Sequence, residues 1–544
     1  MTAATLGERI VGRVADGPRL RVPWRAAGIG LAAWVSVLAL WELAARTTFD
    51  GTHLIGTPSG MVEAAIDNAA LYGRALRITL AEAAWGFLWG NLVAIALATL
   101  VAVAPNTERL VLRVSLVFYC LPLVAVGPVL RVIFGFGAGP QITLSALGVF
   151  YTTLIPLLVG LRAIPAGWSE LVSSYGRGRV TALLVVRARA SVPYLAAGLQ
   201  VAVPAAFLGA LVGEFTGAER GVGILIIHAL RSLDTDGLWA LAAISAITSV
   251  VGYVLAGAVG RRLTVGQPPV LMAAPPSGRR VTTRWRMVRG AAEIVATVVF
   301  VLAVWEGFIR LFDLNNFFAK GPADVWAWLV TDPDAAANRT EILDALIETA
   351  VVAVPGYVAG LTLGAALAAL FDLSAPVRRT VTPFTVALRC VPIVAIAPLL
   401  VRALGRGAFG TAVTVALMTF FPTLVACAQG LRQAPGQVMD FFDVYDVGPV
   451  RTLWSAQVPA MVPAFFAAAR IAVPASILAA TVAEWLATGT GMGNLMALAA
   501  GNNVYGTLWS AVVVLTTLAA AAYGLVATVE RLVLARVAPE QSNW

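Results

Sequence analysis

Residues 120–128 read "CLPLVAVGP", and residues 390–398 read "CVPIVAIAP". The two phrases lie 270 residues apart and hold no charged side chain. Extended by two residues each, they are identical at six of eleven positions. The same register runs outward in both directions. Thr79, Gly86 and Gly90 recur as Thr349, Gly356 and Gly360; Gly160, Arg162 and Pro165 recur as Gly430, Arg432 and Pro435. Pro193, Glu214, Gly221 and Gly223 recur as Pro463, Glu484, Gly491 and Gly493. An apolar composition produces scattered Ala and Val matches. It does not produce Pro, Gly, Arg and Glu in one fixed register. The chain is therefore read as two copies of one unit. Nearer the start the spacing is 264, since Trp41, Glu42, Arg46 and Pro58 match Trp305, Glu306, Arg310 and Pro322. Six residues enter after Pro322, and the polar stretch "TDPDAAANRT" (331–340) is where they fit.

The composition names the solvent. Of 544 residues 59% are hydrophobic and 12% charged, and mean hydropathy is +0.84. Soluble domains carry about 25% charged residues. This excludes a large soluble protein and indicates an all-α polytopic membrane protein with many apolar runs of about 20 residues. Six spans are expected at 27–45, 79–104, 114–133, 141–161, 195–215 and 237–260. Six more are expected at 291–310, 348–372, 382–403, 410–430, 464–484 and 506–529, which makes about 12.

Arginine sets the orientation. Arg9, Arg13, Arg19, Arg21 and Arg25 precede the first span, and Arg162, Arg177, Arg179, Arg187 and Arg189 fill the loop 161–192. The stretch 261–289 has seven arginines, no acid and two Pro-Pro pairs. Both termini and a basic linker, 263–288, are thus expected on the cytoplasmic side, between a first repeat at 1–262 and a second at 289–544. The net charge of +9 marks cytoplasmic loops, not nucleic-acid binding. Six spans per copy leave both copies pointing the same way. A pseudo-two-fold axis along the membrane normal then relates them and places a path between the halves. A secretory signal at 27–45 is the alternative for the first span. The copy of Trp41, Glu42 and Arg46 in mid-chain argues for a retained span.

Several chemistries find no residues. Cys120, Cys390 and Cys427 all sit in apolar runs, without CxxC or Cys/His spacing, and His53 and His228 are far apart. Neither a disulfide scaffold nor a zinc site is indicated. A phosphate-binding P-loop needs GxxxxGK[ST]. Lys320, the only lysine, lies in "FFAKGP". No ATP hydrolysis and no cofactor are expected in this chain.

The loop after the fourth span reads "ELVSSYGRGRVTALLVVRARASVP" (170–193). An acidic start, a glycine six residues on, a basic helical stretch and a closing proline make a short amphipathic segment. It resembles the EAA loop of ABC-importer permeases, in the nitrate/sulfonate/taurine branch. Glu170 and Gly176 fall on the Glu and Gly positions, Arg189 stands where a proline is usual, and Pro193 matches a later proline. The proline-containing third span, "FGFG" at 134–137, "GLRAIP" at 160–165, and Glu214 ahead of Gly221 and Gly223 look like the same branch. The resemblance covers almost all of each half. The second loop, "DFFDVYDVGPVRTLWSAQVPAMVP" (440–463), departs: Asp440 takes the Glu position and Asp446 the Gly position, while Pro459 and Pro463 fit. Loop 161–192 has five arginines against one glutamate, and loop 431–462 has two against three aspartates, so their formal charges are +4 and −1.

The resemblance implies a type I ABC-importer permease in the bacterial inner membrane, fused into one chain. Two separate ATPase subunits, carrying ATP and Mg, would dock on the loops. Glu170, Gly176, Arg177, Arg179 and Pro193 would form the first contact. Asp440, Asp446, Gly448, Pro459 and Pro463 would form the second. An extracytoplasmic binding protein would deliver nitrate, a sulfonate, taurine or a small heterocyclic nutrient. Pro122, Pro128, Pro392 and Pro398 are candidate hinges or static kinks of the third spans. Glu214 and Glu484 are candidates for a gate, for a contact with the delivering protein, or for acceptors of backbone N–H groups in the Gly-rich turn behind them. Gly86–Gly90 and Gly356–Gly360 are GxxxG steps for close helix packing. The rival reading is a secondary transporter with parallel repeats. Such a design keeps ionisable groups in mid-membrane. Glu82 is the main candidate, with Val352 at its place in the second copy.

Overall fold

A computed structural model describes residues 24–47, 55–135, 137–163, 167–168, 172, 174–176, 178–264, 283–374, 397, 399–400, 404–405 and 407–537. The regular elements among them are all helical. The first half comprises α1 (Trp24–Thr47), α2 (Pro58–Asp67), α3 (Ala69–Val103), α4 (Glu108–Cys120), α5 (Leu123–Phe134), α6 (Gly139–Arg162), α7 (Ala188–Phe215), α8 (Val222–Arg231) and α9 (Thr235–Leu263). The second comprises α10 (Thr283–Leu311), α11 (Ala335–Leu373), α12 (Ala408–Leu431), α13 (Gly436–Val444), α14 (Val458–Ala483), α15 (Gly491–Gly501) and α16 (Tyr505–Val537).

Nine helices among the described residues are long and apolar enough to cross a bilayer, ten if a bent pair counts as one span. The expected twelve is not shown among the described residues. The span expected at 382–403 falls largely outside the described residues. The helix α1 covers 27–45 but is not among the nine. The span expected at 114–133 is not one kinked rod. The chain breaks at Leu121–Pro122, and the helices on either side meet at 86°. Pro122 explains the break, since it cannot donate to the preceding turn and its ring crowds that turn. It adopts an extended backbone in front of α5, with φ −71° and ψ 100°. Pro128 lies inside α5. Pro392 and Pro398 lie outside the described residues.

Glycine sets the helix spacing. A Cβ at Gly86 would fall 2.3 Å from the Ser145 Cβ, and one at Gly90 would fall 2.6 Å from the Ala146 carbonyl. Gly356 and Gly360 sit in the same way, 2.5 and 2.4 Å from the Ala412 and Ala416 carbonyls. So α3 lies directly on α6, and α11 on α12, as small-residue steps permit between membrane helices. The first and last spans repeat as well. Trp41 meets Trp239 edge-on at 5.2 Å, and Trp305 stacks on Trp509 at 5.3 Å.

The broken span joins the halves. Ala125 and Val129 of α5 are buried among Ile342, Met492, Met496, Leu508 and Leu515 of the second half. Val124, on the next face, packs in the core of the first half with Ala397, Leu399 and Val482. Arg113 on α4 pairs with Glu293 on α10 at 2.9 Å. Tyr119 donates to the Ile471 carbonyl at 3.1 Å and stacks on Tyr151 at 4.1 Å. The first copy of the repeated phrase is thus part of the joint between the halves.

Candidate functional site

Glu214 ends α7 with no exposed surface, and Glu484 follows α14 with 2%. A buried carboxyl needs hydrogen-bond donors. Thr79 on α3 donates to Glu214 at 2.6 Å and accepts from the Val222 N–H at 3.0 Å. The Gly223 N–H donates to the same carboxyl. In the second half Thr349 donates to Glu484 at 3.0 Å and accepts from the Met492 N–H at 2.8 Å, and the Gly493 N–H donates at 2.8 Å. Every partner is displaced by 270 residues. The node ties three elements together: the long helix α3 or α11, the C-terminal end of α7 or α14, and the start of α8 or α15. Gly221 has φ +124°, and a Cβ there would lie 2.2 Å from the Glu214 carboxyl carbon. Gly491 has φ +79° and the same conflict with Glu484 at 2.4 Å. Glycine is required at both positions for backbone and for space.

Arg220 does not pair with Glu214, although the sequence allows it. It lies exposed while Glu214 is buried, and Thr79 is the partner instead. The sequence signal for that threonine was its place in the repeat register; what was missing was any means of pairing it with a residue 135 positions away. The copies differ beside the node. Glu348 in the second half accepts from the Gly491 N–H at 2.7 Å, where the first half has Ile78. Glu82 in the first half lies beside Glu214, where the second has Val352. Among the described residues no group of three or more His, Cys, Asp or Glu could hold a metal ion.

At the opposite end, both loops between the fourth and fifth spans re-enter the helix bundle through a wide π-helical turn. These turns are Leu183–Arg187 and Leu453–Gln457, again 270 apart. Proline does not cause the turn, because Arg189 stands at the place of Pro459 and the turn is unchanged. Pro193 and Pro463 lie half-buried inside α7 and α14. Gly176 has φ +69° and Asp446 has φ +48°, so both copies place a left-handed residue at the same position. Asp is among the few non-glycine residues that tolerate this. In the second loop α13 carries exposed Phe441 and Val444, followed by exposed Tyr445 and Asp446; Asp440 and Gly448 are exposed too. In the first loop Tyr175 and Leu184 are exposed. Glu170 and Arg177 lie outside the described residues, and Arg179 opens the helical turn Arg179–Ala182. Exposed aromatic and aliphatic side chains beside charges are what a partner surface offers.

Comparison with known proteins fits this architecture. The signature of the "Binding-protein-dependent transport system inner membrane component" family matches residues 83–265 and again 360–536. A probable ABC transporter permease protein of Haemophilus influenzae is 28% identical over 204 residues, covering 38% of this chain and 83% of the relative. The formylaminopyrimidine transport permease protein ThiX of Halalkalibacterium halodurans is 27% identical over 221 residues, 40% of this chain and 88% of its own. The putative aliphatic sulfonates transport permease protein SsuC of Bacillus subtilis is 28% identical over 215 residues, 39% and 77% respectively. With two family domains in series in an all-helical, multi-span chain, this protein belongs to the binding-protein-dependent transport system inner membrane component family and is an inner-membrane permease of ABC importers.

Proposed function

We propose that this chain forms the whole transmembrane path of an ATP-driven importer for a small solute. The two repeats, 1–262 and 289–544, act as the two permease subunits of a type I arrangement, tethered by the cytoplasmic linker 263–288. ATPase subunits dock on loops 161–192 and 431–462, and a binding protein delivers solute at the other face. The observation that carries this reading is the pair of loops in equivalent register. Each has a left-handed residue, exposed apolar side chains and a π-turn leading back into a span. A motor that pulls these ends together would rock the halves about the α4–α5 joint. Both termini lie in the cytoplasm, and the lipid-facing helices fix the chain in the inner membrane.

The relatives' names include formylaminopyrimidine and aliphatic sulfonates, so a nitrogen heterocycle or a sulfonate is the solute class. The test is uptake into proteoliposomes holding the chain, candidate P-loop ATPase subunits and a candidate solute-binding protein. Uptake that requires ATP on the motor side and the binding protein outside supports the importer. Uptake by the chain alone, driven by an ion gradient, establishes the secondary transporter instead.

A further inference from the structure

The helix α10 is the least covered of the nine spans. Only 6% of its apolar window is buried inside the protein, against 22–56% for the other eight. Ile294, Val295, Val298, Val299, Leu302 and Val304 are exposed. Lipid tails satisfy such side chains as well as a neighbouring helix does, so apolar area does not decide where α10 sits. Polar and aromatic contacts decide it, and those near its two ends belong to different halves.

At its start Glu293 reaches the first half. Arg109 and Arg113, four residues apart on α4, each donate to a different oxygen of its carboxylate, Arg113 at 2.9 Å. Twelve residues on, Trp305 stacks on Trp509 of α16, in the second half. At 1.5 Å per residue the two grips lie about 18 Å apart along α10. The first span of the second repeat therefore straps one half to the other. An acid at the edge of an apolar span is costly unless it is paired. A carboxylate held by two guanidinium groups is the kind of small network that keeps its strength where an isolated surface pair does not. The Glu293 and Arg113 side chains are 24% and 31% exposed, so salt reaches the contact in part.

The helix that receives Glu293 is the one on which the joint is built. Tyr119 of α4 donates to the Ile471 carbonyl of the second half, and the chain then breaks into α5. Glu108, the first residue of α4, pairs with Arg162, where α6 ends and loop 161–192 begins. The contact occurs once. At the 264-residue spacing of the first spans, Ile29 of α1 stands at the place of Glu293. At the 270-residue spacing, Arg379 and Pro383 stand for Arg109 and Arg113. Neither Ile29 nor Pro383 carries a charge. The tryptophan contact of α1 is kept, Trp41 against Trp239, but both of its rings belong to the first half.

We propose that α10 is a strap closed by an ionic clasp: Glu293, held by Arg109 and Arg113, fastens the second half to the first along one edge, and the α1 edge has no such clasp. On the importer reading, a single clasped edge makes the rocking of the halves one-sided.

The test uses the full chain in lipid nanodiscs, with its native cysteines replaced by alanine and nitroxide labels at two positions at a time. Leu263→Cys on α9 with Val299→Cys on α10 spans the clasped edge. Leu532→Cys on α16 with Val35→Cys on α1 is the near-equivalent pair at the other edge. Distances are read by pulsed electron–electron resonance. The first pair should give one narrow distance. Glu293→Gln should raise the broad, unfastened component at least about tenfold, the equivalent of one lost charged hydrogen bond. Arg109→Gln with Arg113→Gln removes the clasp from the other helix, so a folding failure in one variant leaves the other informative. Reversing all three charges, Glu293→Arg with Arg109→Glu and Arg113→Glu, should restore the narrow distance. Raising sodium chloride from 0.05 to about 1 M should broaden the first pair and leave the second unchanged, since salt screens only a charged contact. A Val304→Cys and Leu518→Cys pair beside the Trp305–Trp509 stack should stay constant throughout. A first-pair distance that neither Glu293→Gln nor the arginine variant broadens overturns the clasp. An equal salt response at both edges overturns its one-sidedness. No motor, nucleotide or solute enters the measurement, so its outcome and that of the importer reading are separate.

Discussion

Replacing Gly491 by alanine measures how firmly the second node is held. The new Cβ would lie 2.4 Å from the Glu484 carboxyl carbon, on a residue with φ +79°. The left-handed backbone costs about 1–2 kcal/mol for a residue with a Cβ. Moving the carboxylate aside also stretches its bonds from the Gly493 N–H and the Thr349 hydroxyl, at 2.8 and 3.0 Å. Hydrogen bonds to a charged group contribute about 1.5–3 kcal/mol each, so the full effect is about 4–8 kcal/mol. Gly489 supplies the control. Its φ is +75°, yet a Cβ there meets no atom within 4 Å. Gly489→Ala should therefore lose only the backbone share, about 1–2 kcal/mol. Heat or denaturant unfolding of the purified chain, followed by tryptophan fluorescence and size exclusion, ranks the two variants against the parent. Unfolding of a chain this size is commonly irreversible, so the ranking and the half-life at one temperature are the quantities to compare. Equal half-lives for the two variants would mean that Glu484 can swing away freely. The node would then not be a rigid tie between α11 and α15.

Other outcomes are open to measurement. Gly176→Asp should abolish uptake and ATPase co-purification while membrane abundance is kept; normal transport would remove loop 161–192 from the coupling contact. Asp446→Gly should be tolerated, since glycine relieves the left-handed backbone at φ +48°; loss of motors in this variant would show that the aspartate side chain makes the contact. The isolated chain should show no ATP turnover, and activity that survives further purification contradicts this. Ser277→Cys should be labelled only from the cytoplasmic side, and external labelling breaks the parallel arrangement of the repeats.

The internal repeat carried much of the fold into view, because its markers are Pro, Gly, Arg and Glu at fixed spacing and not apolar residues. Helix packing through Gly86 and Gly90 was legible for the same reason: a missing side chain states how close a neighbour comes. The 86° break at Leu121–Pro122 was less legible. Proline announces a disturbance, but whether the chain kinks or turns a corner depends on what packs against each arm. Here the second half receives Ala125 and Val129. The clasp was least legible. Glu82 stood out as a mid-membrane carboxyl, whereas Glu293, Arg109 and Arg113 drew no attention. Their grouping exists only once α4 and α10 converge.

The crossing of α5 onto the other copy has a consequence for synthesis. Ala125 and Val129 are made early, and their partners Met492 and Met496 follow roughly 370 residues later. At about 5–20 residues per second, that leaves α5 incomplete for on the order of 20–70 seconds. During this time its receiving surface on another chain could compete. A tether between the copies raises the local concentration of the correct partner and fixes the ratio of the halves at one to one. Fusion thus acts as an assembly chaperone written into the gene, and it spares the first half from pairing with a second copy of itself.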